Sequence, residues 1–420
     1  MRTNFEELKK TLGPGILFAS TCVGVSHLVQ STRAGADYGF ILLIAIVLAN
    51  LFKYPFYEFA SRYTSATGNS ILEGYNKVSR SVLLAYTIMT FITMFIVAAA
   101  VVFVTAGLLS NLFPDQLSTD VWGAIILIFC SLLLIIGKYG ALDSLLKVVG
   151  TVLVISVLVA FVSAVIHGPA PRSADFIPKE IGSATGLMFA VALMGWMPSG
   201  VDMSTWNSLW TEARIKQTNY HPTLKQTLLD FNLGYIVSAV LAILFLSLGT
   251  LIIYGTGTEL SNSSPAFAHQ LISMFTTAIG DWSYYVIAVA AFSTMFSTSI
   301  TVIDGYCRAI SRSYKLLFHS HRKDDSRSVF VLTAVILCIG TYAIISQFLN
   351  NLKMLVDFAT VVSFIIAPLA AYFNYRAIYS KEVSTPFRPP SWLRKLAHIG
   401  LTFLSLFALG YLIVLFYSKF

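Results

Sequence analysis

The sequence predicts an all-α polytopic membrane protein of about eleven transmembrane helices, built as five plus five in inverted repeat with one helix left over. Three observations predict it. The chain is 56% hydrophobic and only 11% charged, with a mean hydropathy of +0.74, whereas a soluble domain is about 25% charged. Apolar stretches close to the roughly 20 residues that a bilayer span needs follow one another from end to end, which leaves no separate soluble domain. Two of them, the first and the sixth, are interrupted in the middle by polar and helix-breaking residues.

The spans fall at about 12–34, 39–63, 82–110, 121–137, 145–167, 185–210, 228–254, 284–311, 329–349, 354–376 and 396–417. Met1 to Lys10 is polar and runs into a full span, so no cleavable signal peptide is expected. Span one carries Thr21, Cys22, Gly24, Ser26, His27 and Gln30. Span two holds Lys53, Pro55 and Glu58, whose charges are expected to snorkel or pair near its end. Lys147 opens span five and is expected to snorkel at the helix end. Span six is broken at Gly195-Trp196-Met197-Pro198-Ser199-Gly200, with Asp202 just beyond. In the connection at about 255–282, Ala266 to Ala278 is amphipathic and is expected to lie across the top as a short helix. Span eight presents Ser293, Ser297 and Thr301 at helical spacing, followed by Asp304.

Unwound backbone at membrane depth survives only where protein buries it or it lines a cavity. Paired interruptions in corresponding positions of two halves are the sequence pointer to a transporter's binding site. The openings Gly15-Ile-Leu-Phe-Ala and Gly186-Leu-Met-Phe-Ala support the repeat. It divides the chain into 1–168 (spans one to five), 185–376 (spans six to ten) and 394–420 (span eleven). With the N-terminus inside, Lys and Arg crowd the inside segments, while the outside ones hold only Arg33, Arg172, Lys179, Lys353 and Lys419. That bias predicts a cytoplasmic N-terminus and an external C-terminus, in a bacterial inner or plasma membrane. It also accounts for the net charge of +8 without nucleic acid. Four cysteines, Cys22, Cys130, Cys307 and Cys338, lie in apolar segments without CxxC spacing and read as buried thiols.

Gly13-Pro14-Gly15, Arg33-Ala-Gly-Ala-Asp37-Tyr-Gly-Phe40, Ala66-Thr67-Gly68 and Met197-Pro198 resemble the natural resistance-associated macrophage protein (NRAMP) metal transporters over nearly the whole chain. The resemblance implies a LeuT-type fold and alternating access. It also exposes departures. Gly24-Val25-Ser26-His27 stands where the family has Asp-Pro-Gly-Asn. In span six Met194 stands at the family's Ala, Met197 matches its Met, and Ser199 replaces its His, so Met197 is the one matched metal ligand. The family's proton route uses acids in span three and an arginine in span nine; neither span carries a charge here. A hard divalent cation at membrane depth needs carboxylate oxygens to offset its desolvation. The family's standard metal site is therefore not expected to form, although His27 with Met197 suits a softer metal.

The candidate solute-binding residues are Gly24, Ser26, His27, Gln30, Trp196, Met197, Ser199 and Asp202. His27 is weighed against a hydrogen-bonded core histidine, Asp202 against a helix-capping carboxylate, and Trp196, like Trp206, against packing. The candidate coupling-ion residues are Thr21, Ser293, Ser297, Thr301 and Asp304. The alternatives are hydroxyls bonding back to their own helix and an Asp304–Arg308 pair at i+4. The leading expectation is a monomeric secondary transporter of a small polar or ionic solute among membrane lipids, coupled to Na+ or H+ and without a cofactor. A divalent-metal transporter with an altered site is a second reading; a channel or non-cycling binding protein is a third. No P-loop and no hydrolase spacing point to ATP drive or catalysis.

Overall fold

The structure, a computed structural model, describes Glu7 and residues 10–137, 140–318 and 323–417; nothing is stated of the side chains of 140–149 and 323–326. Arg2, Lys9, Lys138, Arg322 and Lys419 lie outside the described residues, as do the side chains of Lys147 and Lys323.

The first span comes in pieces. Helix α1 (Pro14–Cys22) stops at a break, a π turn (Ser26–Ser31) follows, and α2 (Thr32–Tyr38) completes the crossing. Then come α3 (Leu43–Thr67), a short α4 (Ile71–Val78), α5 (Arg80–Leu112), α6 (Thr119–Ile136) and α7 (Gly140–His167). The sixth span is split into α8 (Ala184–Gly195) and α9 (Ser204–Thr218). The rest is α10 (Leu224–Ile252), α11 (Ser264–Ile279), α12 (Tyr284–Phe318), α13 (Lys323–Gln347), α14 (Leu352–Ile378) and α15 (Ser391–Tyr417). Among the described residues this makes eleven crossings, and the amphipathic Ala266–Ala278 stretch lies within α11.

Local chemistry sets several ends. Pro14 begins α1, where a missing N–H costs nothing. The Ser79, Ser183 and Thr223 side chains cap α5, α8 and α10, the last as a capping box with Gln226. Lipid tails give helices no hydrophobic reason to associate, so small residues that let backbones approach carry the packing. The first span lies along α10 in this way. A side chain at Gly15 would overlap the Asp230 carbonyl, and one at Gly234 the Gly15 carbonyl. Further along, Gly35 abuts the Leu246 carbonyl and Gly249 the Thr32 carbonyl. The most apolar eighteen-residue stretches of α5 and α12 are the most enclosed, 83% buried, whereas that of α15 is only 17% buried.

Candidate functional site

The first break lies between Cys22 and Ser26. Gly24 occupies it where a larger residue would press on α12: a Cβ there would lie 2.8 Å from Thr298 Cγ2 and 3.0 Å from its Oγ1. Thr298 also donates to the Ser20 carbonyl at 2.9 Å, so α12 closes the open end of α1.

The second break runs from Trp196 to Met203. An interrupted helix leaves carbonyl oxygens without intrahelical partners, and inside a membrane protein other protein groups must satisfy them. Helix α3 does so. The fully buried Lys53 ammonium donates to the carbonyls of Met194 at 2.6 Å, Gly195 at 2.9 Å and Ser199 at 3.1 Å. One turn on, the Tyr57 hydroxyl donates to the Gly200 carbonyl. The expectation that Lys53 snorkels or pairs near the end of span two is corrected: three carbonyl dipoles take the place of water around its charge. Glu58 does pair, with Arg62 at 2.5 Å.

The π turn that follows the first break reaches the second break. The Ser31 hydroxyl lies 3.9 Å from the Met197 sulfur and donates to the Ser26 carbonyl at 3.2 Å. Trp196 Nε1 donates to Ser363 Oγ on α14 at 2.8 Å, and the Ser199 hydroxyl faces the Met203 sulfur. Asp202 is only 3% exposed, and its Oδ1 has no hydrogen-bond partner among the described residues.

The other candidate residues are spread along the molecule. His27 turns to α10: Nε2 donates to the Ser238 carbonyl at 2.8 Å, and Nδ1 faces Ser26 Oγ at 2.8 Å. The ring of this buried imidazole faces α10 and Ser26, whose hydroxyl also donates to the Cys22 carbonyl, and the carbonyl partner assigns the proton to Nε2. Gln30 joins a cluster on the face opposite the start of α1. Its amide nitrogen donates to Asp357 Oδ1 at 2.9 Å and Thr360 Oγ1 at 3.2 Å, and its oxygen accepts from Arg33 at 2.9 Å. Arg33 forks onto the Asp357 carboxylate at 2.7 and 3.0 Å and lies 4.9 Å over the Phe189 ring. Sequence reasoning missed Arg33 and Asp357 as site residues. The available signal was Arg33 at i+3 from Gln30, with an acid one turn into span ten.

Thr21 bonds back to the Leu17 carbonyl at 2.8 Å. Thr301 bonds back to Ser297 and Thr298 carbonyls at 3.0 Å each. Ser293 and Ser297 are buried on the same helix, but the hydroxyl that reaches span one belongs to Thr298. Asp304 pairs with Arg308 at 2.7 Å and accepts from Trp210 Nε1 at 3.0 Å.

A vestibule of about 1030 Å³ opens at the start of α1 and is lined by Gly13, Leu17, Trp210, Thr301 and Asp304, among others. On the opposite side the Arg33–Asp357 cluster bridges α2 and α14. No group of three or more His, Cys, Asp or Glu side chains among the described residues is placed to hold a metal ion.

Two discontinuous helices packed within an eleven-helix bundle make a fold of the LeuT type. The chain belongs to the natural resistance-associated macrophage protein-like family, whose profile matches residues 15–415. It is 36% identical over 405 residues to uncharacterized protein PM0681 of Pasteurella multocida (strain Pm70), covering 95% of this chain and 90% of that one. It is 25% identical over 433 residues to the divalent metal cation transporter MntH of Staphylococcus aureus (strain JH9), covering 98% and 92%. The fold superposes on the Eremococcus coleocola manganese transporter bound to an aromatic bis-isothiourea substituted compound with a TM-score of 0.72 at 18% identity, covering 97% and 87%. It also superposes on MhsT bound to L-phenylalanine with a TM-score of 0.60 at 14% identity, covering 97% and 98%.

Proposed function

We propose that the chain is a secondary active transporter that carries a small polar or ionic solute by alternating access, with the vestibule face cytoplasmic. The observation that carries this reading is the contact at Ser31 and Met197 between the π turn after the first break and the second break, with a vestibule on one side and the Arg33–Asp357 cluster on the other. Transport of manganese by the family's standard site is not proposed, because Gly24 offers no carboxylate. Saturable micromolar manganese uptake into proteoliposomes, abolished by Met197→Ala, would overturn that exclusion. Solute counterflow is expected in the same vesicles; a solute current with no counterflow would favour a channel.

For coupling, sodium is the favoured ion. An unwound segment supplies neutral carbonyl oxygens, and a single charge is less costly to desolvate than a double one. The Thr298 hydroxyl and the Ser20 carbonyl are the groups that join α12 to the first break. We expect sodium to raise the thermal unfolding temperature, an effect lost in Thr298→Ala and kept in His27→Gln. No response to sodium, together with uptake that follows an imposed pH gradient, would transfer the coupling to protons.

A further inference from the structure

We propose that the vestibule at the start of α1 holds the phosphate headgroup of an anionic phospholipid from the membrane leaflet at that end, with its acyl chains laid along α6 and α13. Arg214 and Lys216 of α9, Arg308, Arg312 and Lys315 of α12, and Arg327 of α13 line one cavity of about 1030 Å³, against the carboxylates Glu212 and Asp304 among the described residues. A bias of basic residues toward one membrane face sets orientation. Orientation alone does not require three helices to bring them onto one cleft.

The ion pairs leave donors over. Glu212 is held by Lys216 and Arg312, and Glu73 by Arg312. Arg308 meets Asp304 through Nε alone, so its two amino groups are not spent on that carboxylate. Ser311, only 5% exposed, lines the same cavity. Its hydroxyl and the buried Arg312 Nε have no hydrogen-bond partner among the described residues. Lys315 and Arg327 form no ion pair there either. Buried donors are ordinarily paired. A phosphate group, with its charge and several strong acceptor oxygens, suits guanidinium, ammonium and hydroxyl donors together.

The other wall of the cavity is apolar. Leu134 and Ile135 lie at the end of α6, and Phe330 and Val331 near the start of α13; all four line it. The most apolar stretches of α6 and α13 are each only 28% buried, as helices that face lipid are. A free anion has no use for the apolar wall, whereas a phospholipid uses both. Basic pockets between transmembrane helices are where anionic headgroups bind.

The test uses the purified full chain in a neutral detergent. Thermal unfolding is followed with dioleoylphosphatidylglycerol, with dioleoylphosphatidylcholine and with inorganic phosphate. Phosphatidylglycerol is expected to raise the midpoint saturably, by several degrees at about a hundredfold excess over its dissociation constant. The other two are expected to leave it unchanged. Lys315→Gln combined with Arg327→Gln removes the two unpaired charges and is expected to weaken the lipid about tenfold or more. Arg394→Gln combined with Lys395→Gln removes the same charge from exposed positions at the start of α15, on the same membrane face, and is expected to bind as the parent does. The proposal is overturned if phosphatidylglycerol acts no more strongly than phosphatidylcholine. It is overturned equally if inorganic phosphate reproduces the shift, which would make this a free-anion site. Equal weakening by the two double variants would also overturn it, since the lipid would then be drawn to the whole face and not to the cavity. Should the cavity double variant not fold, Arg327→Gln alone, at an exposed position, carries the comparison. None of these readouts depends on transport, so failure here leaves the transporter reading standing.

Discussion

At Gly24 the aspartate that the NRAMP resemblance leads one to expect would press against Thr298 of α12. Its Cβ would come 2.8 Å from Thr298 Cγ2, and over-packing of this kind costs about 1–3 kcal/mol. Gly24→Asp is therefore expected to lower the unfolding midpoint without creating manganese binding by calorimetry, and pairing it with Thr298→Ala is expected to recover part of the loss. This residue scale is where the sequence was least legible. In one dimension Lys53 is a charge near the end of an apolar run, and its partners lie 141 to 146 residues away. Ser293, Ser297 and Thr301 form a column that helical spacing reveals, but spacing alone does not say which face of α12 meets span one. The face is one residue round, at Thr298. His27 is polar and sits beside a break, which is equally what a hydrogen bond to α10 requires.

At the scale of elements the spans were legible, because about 20 apolar residues between charged loops admit few other readings. The breaks were legible because Gly, Pro and hydroxyl side chains gathered in the middle of a span have no use facing lipid. What did not show in the sequence was how α1 is held. Asp230 of α10 accepts from the Gly15 amide at 2.7 Å and the Gly13 amide at 3.2 Å, capping the start of α1 from another helix. Loss of a capping side chain typically costs about 0.5–2 kcal/mol, so Asp230→Ala is expected to lower the unfolding midpoint moderately. Gly234→Val, which drives a branched side chain into the Gly15 carbonyl, is expected to do more harm. Thermal unfolding in detergent ranks the two; equal effects would mean that α1 is not seated through Gly234.

At the scale of the whole molecule, the vestibule and the Arg33–Asp357 cluster lie on opposite sides of the joined breaks. Asp357→Asn removes the charge that fixes Arg33 and weakens the bridge between α2 and α14. It is expected to increase labelling of a cysteine placed at Gln30 by a membrane-impermeant reagent added from that side; unchanged labelling would show that the bridge does not close it. The contacts of the first span with α10 also act as a ruler. Asp230 and Leu246, which meet Gly15 and Gly35, are sixteen residues apart on an uninterrupted helix, a rise of about 24 Å. Gly15 and Gly35 are twenty residues apart, which as one straight helix would rise about 30 Å. The first span is longer than the gauge it is laid against, and its surplus is taken up between Cys22 and the π turn. The break is thus slack in a measured length: shortening the chain there by a few residues would pull the first span straight and erase the break without touching any of its polar side chains.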